Sequence, residues 1–128
     1  MAATQVEEGF LPSPSPGTIV MRIPNQYYKS EEEYLFAVAD LMHEEYKAIT
    51  DAGLVLQIDA PDAAMSWDRQ RWSGLDEFRK ALALRIDALN HALEGVPEEQ
   101  MRFHVWWGNN EAPHFTDVAL QGIVDLMY

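Results

Sequence analysis

Apolar residues recur along this chain with two different periods, and the alternation between them predicts its elements. Leu35, Val38, Leu41, Met42 and Ile49 recur near helical spacing between Ser30 and Gly53. Ser30-Glu-Glu-Glu33 reads as a capping box at the start of that helix, and Gly53 as its terminator. Leu75, Phe78, Leu82, Ile86, Leu89 and Leu93 step by three or four residues, the cleanest amphipathic pattern in the chain, closed by Gly95 and Pro97. Residues 54–59 and 103–107 are instead short apolar runs that alternate with period two, as strands do. Thr18–Arg22 predicts another short strand, and a last helical stretch is expected from about Val118. Residues 1–17, with Pro12, Pro14 and Pro16 among serines, predict an extended arm.

The expected order is arm, β, α, β, α, β, α, with residues 18–128 as one domain. Strands separated by helices of this length run parallel through right-handed crossovers. The fold class expected is therefore α/β, with about three βα units. In such folds sites form where strands end. Leu54, Leu56 and Ile58 share one strand face and Val55, Gln57 and Asp59 the other; Phe103, Val105 and Trp107 likewise oppose His104 and Trp106. Asp59 and His104 are thus expected on one common face, opposite Ile58 and Phe103. The long connection 60–74, rich in Trp and charge, is of the kind that holds ligand.

Composition narrows the function. A net charge of −12, from 9 basic and 21 acidic residues, argues against nucleic acid and against an anionic membrane surface. With no cysteine the chain has no thiolate to serve as nucleophile or metal ligand, and no disulfide. Neither a leader segment nor a run of about 18 apolar residues is seen, which leads us to expect a cytoplasmic protein. No glycine-rich phosphate loop or nucleophile elbow is present.

Several motifs read together are more specific than any one of them: Ser13-Pro14-Ser15-Pro16-Gly17, Asn25-Gln-Tyr-Tyr28, Asp51-Ala-Gly53, Leu56-Gln-Ile-Asp59 with Pro61, and His104-Val-Trp-Trp-Gly-Asn109 followed by Pro113-His114. Their ordered set, from about residue 11 to 128, resembles the catalytic domain of the cobalamin-independent methionine synthase family in its shorter, single-domain branch. That family is a TIM (β/α)8 barrel in which zinc activates a thiol for methyl transfer from a folate. The resemblance implies a partial barrel, a middle section without the earlier and later strands.

It also implies roles. Asp59 falls at the aspartate that holds the amino group of the thiol amino acid, and His104 at a zinc-ligating histidine. Trp106 stands where the family has its cysteine ligand, and an indole offers a metal no lone pair. Asp59, Gln57, Trp106 and Asn109 are the candidate substrate-binding set, and His104 the candidate metal ligand of an incomplete site. Zinc serves the family, but this chain is expected to hold none and to be inactive in methyl transfer by itself.

The plainer readings stand beside these. Asp59 also suits a loop cap, and His104 a hydrogen-bonded structural histidine. Glu111, His114 and Asp117 match no established ligand spacing and read as a solvated loop. Trp67, Trp72, Trp106 and Trp107 could cage a ring or cation, or simply pack. The chain thus reads as a fragment or degenerate member of the methyltransferase family, or else as a noncatalytic small-molecule binding or assembly module. Two unpaired sheet edges lead us to expect a homo-oligomer.

Overall fold

The computed structural model describes residues 7–69, 72–108, 111 and 113–128, with Asp68 and Arg69 as backbone only. Three parallel strands form one open sheet in the order β1 (Phe10–Pro14), β2 (Val55–Asp59), β3 (Met101–His104). The helices are α1 (Pro16–Arg22), α2 (Glu31–Asp51), the short α3 (Ser66–Arg69) and α4 (Leu75–Ala92).

The expected elements are corrected at both ends of the chain, and the strand expected over 103–107 lies instead at Met101–His104. The proline-rich segment, expected to be an unpaired arm, supplies β1, and Thr18–Arg22 is helical rather than a strand. The hydrogen bonds explain how a strand tolerates two prolines. Val55 N–H donates to Gly9 O (2.9 Å) and Ser15 N–H to Asp59 O (3.0 Å), so odd-numbered residues here turn their peptide groups toward β2. Pro12 and Pro14 fall at the outward positions, where a missing N–H breaks no ladder bond. The helix that follows has a start signal stronger than the strand propensity of Thr18, Ile19 and Val20: Ser15 caps it, accepting from Thr18 N–H at 3.1 Å, and Pro16 opens its first turn. The stretch after Val118 forms two separate 3₁₀ turns, Leu120–Gly122 and Val124–Leu126, in place of a helix.

The two long helices appear where the periodicity placed them. Ser30 accepts from Glu33 N–H at 3.0 Å, and Glu33 reaches back to Lys29 N–H, one residue earlier than a capping box requires. Ser73 gives both its N–H and its hydroxyl to Glu77 in the first turn of α4, which holds that carboxyl below its usual range. Leu56 and Ile58 from β2 are buried with Leu35, Val38, Met42 and Ile49 of α2 and Phe78, Leu82 and Leu89 of α4. Tyr46 of α2 is fully buried and donates to Pro14 O at 2.7 Å, clamping the helix to β1. Burial raises the pKa of its hydroxyl strongly, so the phenol stays a donor.

The opposite sheet face is more open. Phe10, Arg102 and His104 are exposed there and Gln57 and Asp59 half-buried, with Val55 the buried exception. The two edges also differ: Ala60 N–H donates to His104 O at 2.9 Å, so Met101 and Phe103 turn their peptide groups outward along an edge that has no proline.

Within the connection 60–74, expected to hold ligand, residues 61–66 are buried. Asp62, 3% exposed, accepts from Ser15 Oγ (2.5 Å) and Thr18 Oγ1 (2.8 Å), joining the start of α1 to the segment after β2. Gly17 makes room for it: a Cβ at position 17 would lie 2.0 Å from Asp62 Oδ2. Moving the carboxylate aside means giving up both hydroxyl bonds. Gly17→Ala should therefore destabilise the chain by about 2 kcal/mol or more in urea titration. Asp62→Ala in the same chain removes the clash, so the double variant should lose less than the sum of the singles; strict additivity would show that the two positions do not collide.

Candidate functional site

The carboxyl ends of β2 and β3 bring Asp59 and His104 together. They are register partners across the parallel pair, and His104 Nδ1 lies 3.0 Å from Asp59 Oδ1. Asp59 and His104 therefore share a face, away from Ile58 and Phe103, as the alternation predicted. An ionised carboxylate only accepts, so Nδ1 carries the proton and Nε2 keeps a lone pair. With side chains 37% and 49% exposed, the pair is accessible to solutes.

Gln57 is the register partner of Arg102, one step further from the strand ends. Arg102 pairs with Glu8 and lies over the ring of Phe10, 5.0 Å from its centroid. Sequence reasoning passed over Arg102 because a lone arginine in a strand carries no signal of its cross-strand partner. It also missed the backing of Asp59, whose carbonyl accepts from Ser15 N–H (3.0 Å) and, at a longer 3.4 Å, from Thr18 Oγ1. The Ser-Pro start of α1 was a signal for those two residues.

Trp106 lies two residues beyond His104, past the end of β3. Its indole N–H is buried and has no hydrogen-bond partner among the described residues. A Cβ at Gly108, whose φ is +96°, would come within 3.9 Å of this ring and 3.5 Å of Met65 Sδ, so the chain turns closely here. Asn109, the remaining candidate, lies outside the described residues.

The other candidates part company. Trp67 and Trp72 both meet the ring of the buried Phe78 edge-on at 5.4 Å, and Trp107 donates to Val118 O at 2.7 Å. All three indoles thus make contacts within the protein. His114 bonds Asp117 at 2.9 Å, while Glu111 is exposed.

The zinc implied by the resemblance does not fit these residues. His104 keeps a lone pair on Nε2, but a single imidazole is not a zinc site, and Trp106 offers an N–H where the resemblance would put a thiolate. Among the described residues no three histidine or acidic side chains are arranged to hold a metal ion. Nor, among them, is any helix long and apolar enough to cross a membrane.

Parallel strands joined by helices, with paired polar side chains at the strand ends, define the chain as a mixed α/β protein with an open sheet. Over most of its length its sequence is similar to that of archaeal methionine synthases. It is 27% identical to the methionine synthase of Saccharolobus islandicus over 111 residues and 25% to that of Saccharolobus solfataricus over the same length, covering 84% of the chain. With the methionine synthase of Thermococcus kodakarensis it shares 28% over 113 residues. The chain spans about 30% of the length of these curated relatives. No family model and no solved structure matches it.

The Asp59 contact should hold the neutral His104 ring as the Nδ1–H tautomer, and Asp59→Ala should release that preference. Nitrogen-15 NMR of the ring reads the tautomer directly, and the same tautomer mixture in parent and variant would show that the contact is not maintained in solution.

Proposed function

We propose that this chain is a section of a cobalamin-independent, methionine synthase-like (β/α)8 barrel, whose Asp59 binds the amino group of a small amino acid and which carries no resident zinc. The observation that supports this most is the Asp59–His104 hydrogen bond at the strand ends, on the open face of the sheet. A barrel would turn that face inward, toward the site.

Asp59 supplies the negative charge. An incoming ammonium group shares Asp59 with His104 Nδ1, and the carboxylate has lone pairs for both. The Asp59 carbonyl, bonded to Ser15, keeps the strand end from shifting as the side chain changes partner. His104 Nε2 remains an acceptor for a ligand N–H or S–H. In the whole family zinc would supply thiol activation; this chain's own residues supply binding and orientation. A noncatalytic binding module is the second reading, favoured by the indole at position 106 in place of a metal-binding thiolate.

Titration with L-homocysteine, followed by NMR, tests the binding role. Asp59→Asn should weaken binding about tenfold or more, since a charge-assisted bond is lost, and the des-amino analogue should bind no better to the parent chain than to the variant. Equal affinity of parent and Asp59→Asn would overturn the reading. After dialysis the purified chain should hold no stoichiometric zinc, and Trp106→Cys alone should not produce methyl transfer from a folate donor. A tightly retained zinc lost on His104→Ala would refute this.

The open edge of β3 also supports self-association in the isolated chain, since unpaired peptide groups there can accept another strand. Light scattering should find a dimer or larger species; a stable monomer of 14.6 kDa at high concentration would dismiss it.

A further inference from the structure

The open face of the sheet carries two rows of polar side chains of opposite character. At the strand ends stand the register partners Asp59 and His104, offering a carboxylate and the lone pair of Nε2. One step further in stand Gln57 and Arg102, also register partners, offering an amide and a guanidinium. Acceptors lie outermost and donors behind them. A molecule that carries an ammonium and a carboxylate side by side has the complementary order of charge.

Within the inner row, Gln57 is the group with hydrogen bonds to give. Its side-chain amide has two donor N–H bonds and an acceptor oxygen, and it has no partner among the described residues. It is half-buried, whereas Leu56 and Ile58 on either side of it are buried on the opposite face. A solute can therefore reach the amide, while the packed strand fixes its backbone. Arg102 is differently placed. It pairs with Glu8 and lies over Phe10, which is level with Val55, so its guanidinium turns away from the strand ends. It supplies a positive field to the row, offset in part by Glu8, rather than a contact at the strand ends. That field matters because the chain as a whole carries a net charge of −12 and repels anions elsewhere.

The spacing suits an α-amino acid. Gln57 and Asp59 are two residues apart on one face, so a rise of about 3.3 Å per residue separates their Cα atoms by roughly 6.6 Å. Two hydrogen bonds of about 2.9 Å, set at an angle at either end of the short ammonium-to-carboxylate span, bridge that gap. We propose that the Gln57 amide holds the carboxylate of the same amino acid whose ammonium Asp59 binds, so that the strand ends select a zwitterion over a simple amine. This rests on the binding role given to Asp59 above.

NMR titration of the chain with three thiols separates the two roles: L-homocysteine, 3-aminopropanethiol, which lacks the carboxylate, and 4-mercaptobutyrate, which lacks the amine. The parent should bind L-homocysteine about tenfold or more tightly than 3-aminopropanethiol, the difference expected of a hydrogen bond to a charged group. Gln57→Leu should remove that difference by weakening L-homocysteine alone. Gln57→Glu, close to the parent in shape and so a guard against misfolding, should weaken L-homocysteine at least as much, because it sets a carboxylate against a carboxylate. If Asp59→Asn weakens L-homocysteine and neither Gln57 variant does, the Asp59 reading stands and this proposal is overturned. If 4-mercaptobutyrate binds the parent as tightly as L-homocysteine, the Asp59 reading falls and takes this proposal with it.

Discussion

One buried carboxylate ties together the parts of the molecule on which the site depends. Asp62 sits out of solvent between the two βα connections, held by the hydroxyls of Ser15 and Thr18, with Gly17 against it. From its backbone the network runs on: Ser66 Oγ donates to Asp62 O, and Arg85 of α4 donates to Ser66 Oγ at 2.8 Å. Burial lowers the pKa of Arg85 and the nearby Asp62 charge offsets part of that shift. A carboxylate this deep is tolerated because two hydroxyls donate to it and a guanidinium lies near, so removing a single partner costs more than removing the whole group.

The sheet follows from that anchorage. Ser15 uses its side chain on Asp62 and its N–H on Asp59 O, so the same residue fixes the end of β1 and the end of β2. Its two faces then divide the labour. Leu56 and Ile58 bury against α2 and α4, while Gln57 and Asp59 look the other way with Arg102 and His104. Strand alternation separates a packing face from a chemical face one residue at a time, and a register slip would exchange them.

Just past the end of β3, Trp106 presents a buried indole N–H with no hydrogen-bond partner among the described residues, a group that seeks an acceptor and has no lone pair to give a cation.

By itself the sequence determined the two long helices, strand β2, the general place of β3 and the shared face of Asp59 and His104. Those follow from local periodicity, 3.6 residues for a helix and two for a strand, and from capping by Ser30. The family resemblance was legible too, because it rests on ordered motifs. Tertiary structure decided what periodicity does not encode. Pro12 and Pro14 forbid regular two-sided pairing, yet a strand forms because their outward edge needs no donors. Thr18–Arg22 favours a strand by composition, yet it is a helix because Ser15 and Pro16 start one and Asp62 holds its first turn. Segment 61–66 reads as loop, yet it is buried because Asp62 and Ser66 find partners far away in the chain. In the last two cases hydrogen bonds between residues distant in sequence add to local preferences worth only a few tenths of a kcal/mol per residue, roughly the spread of ordinary helix propensities.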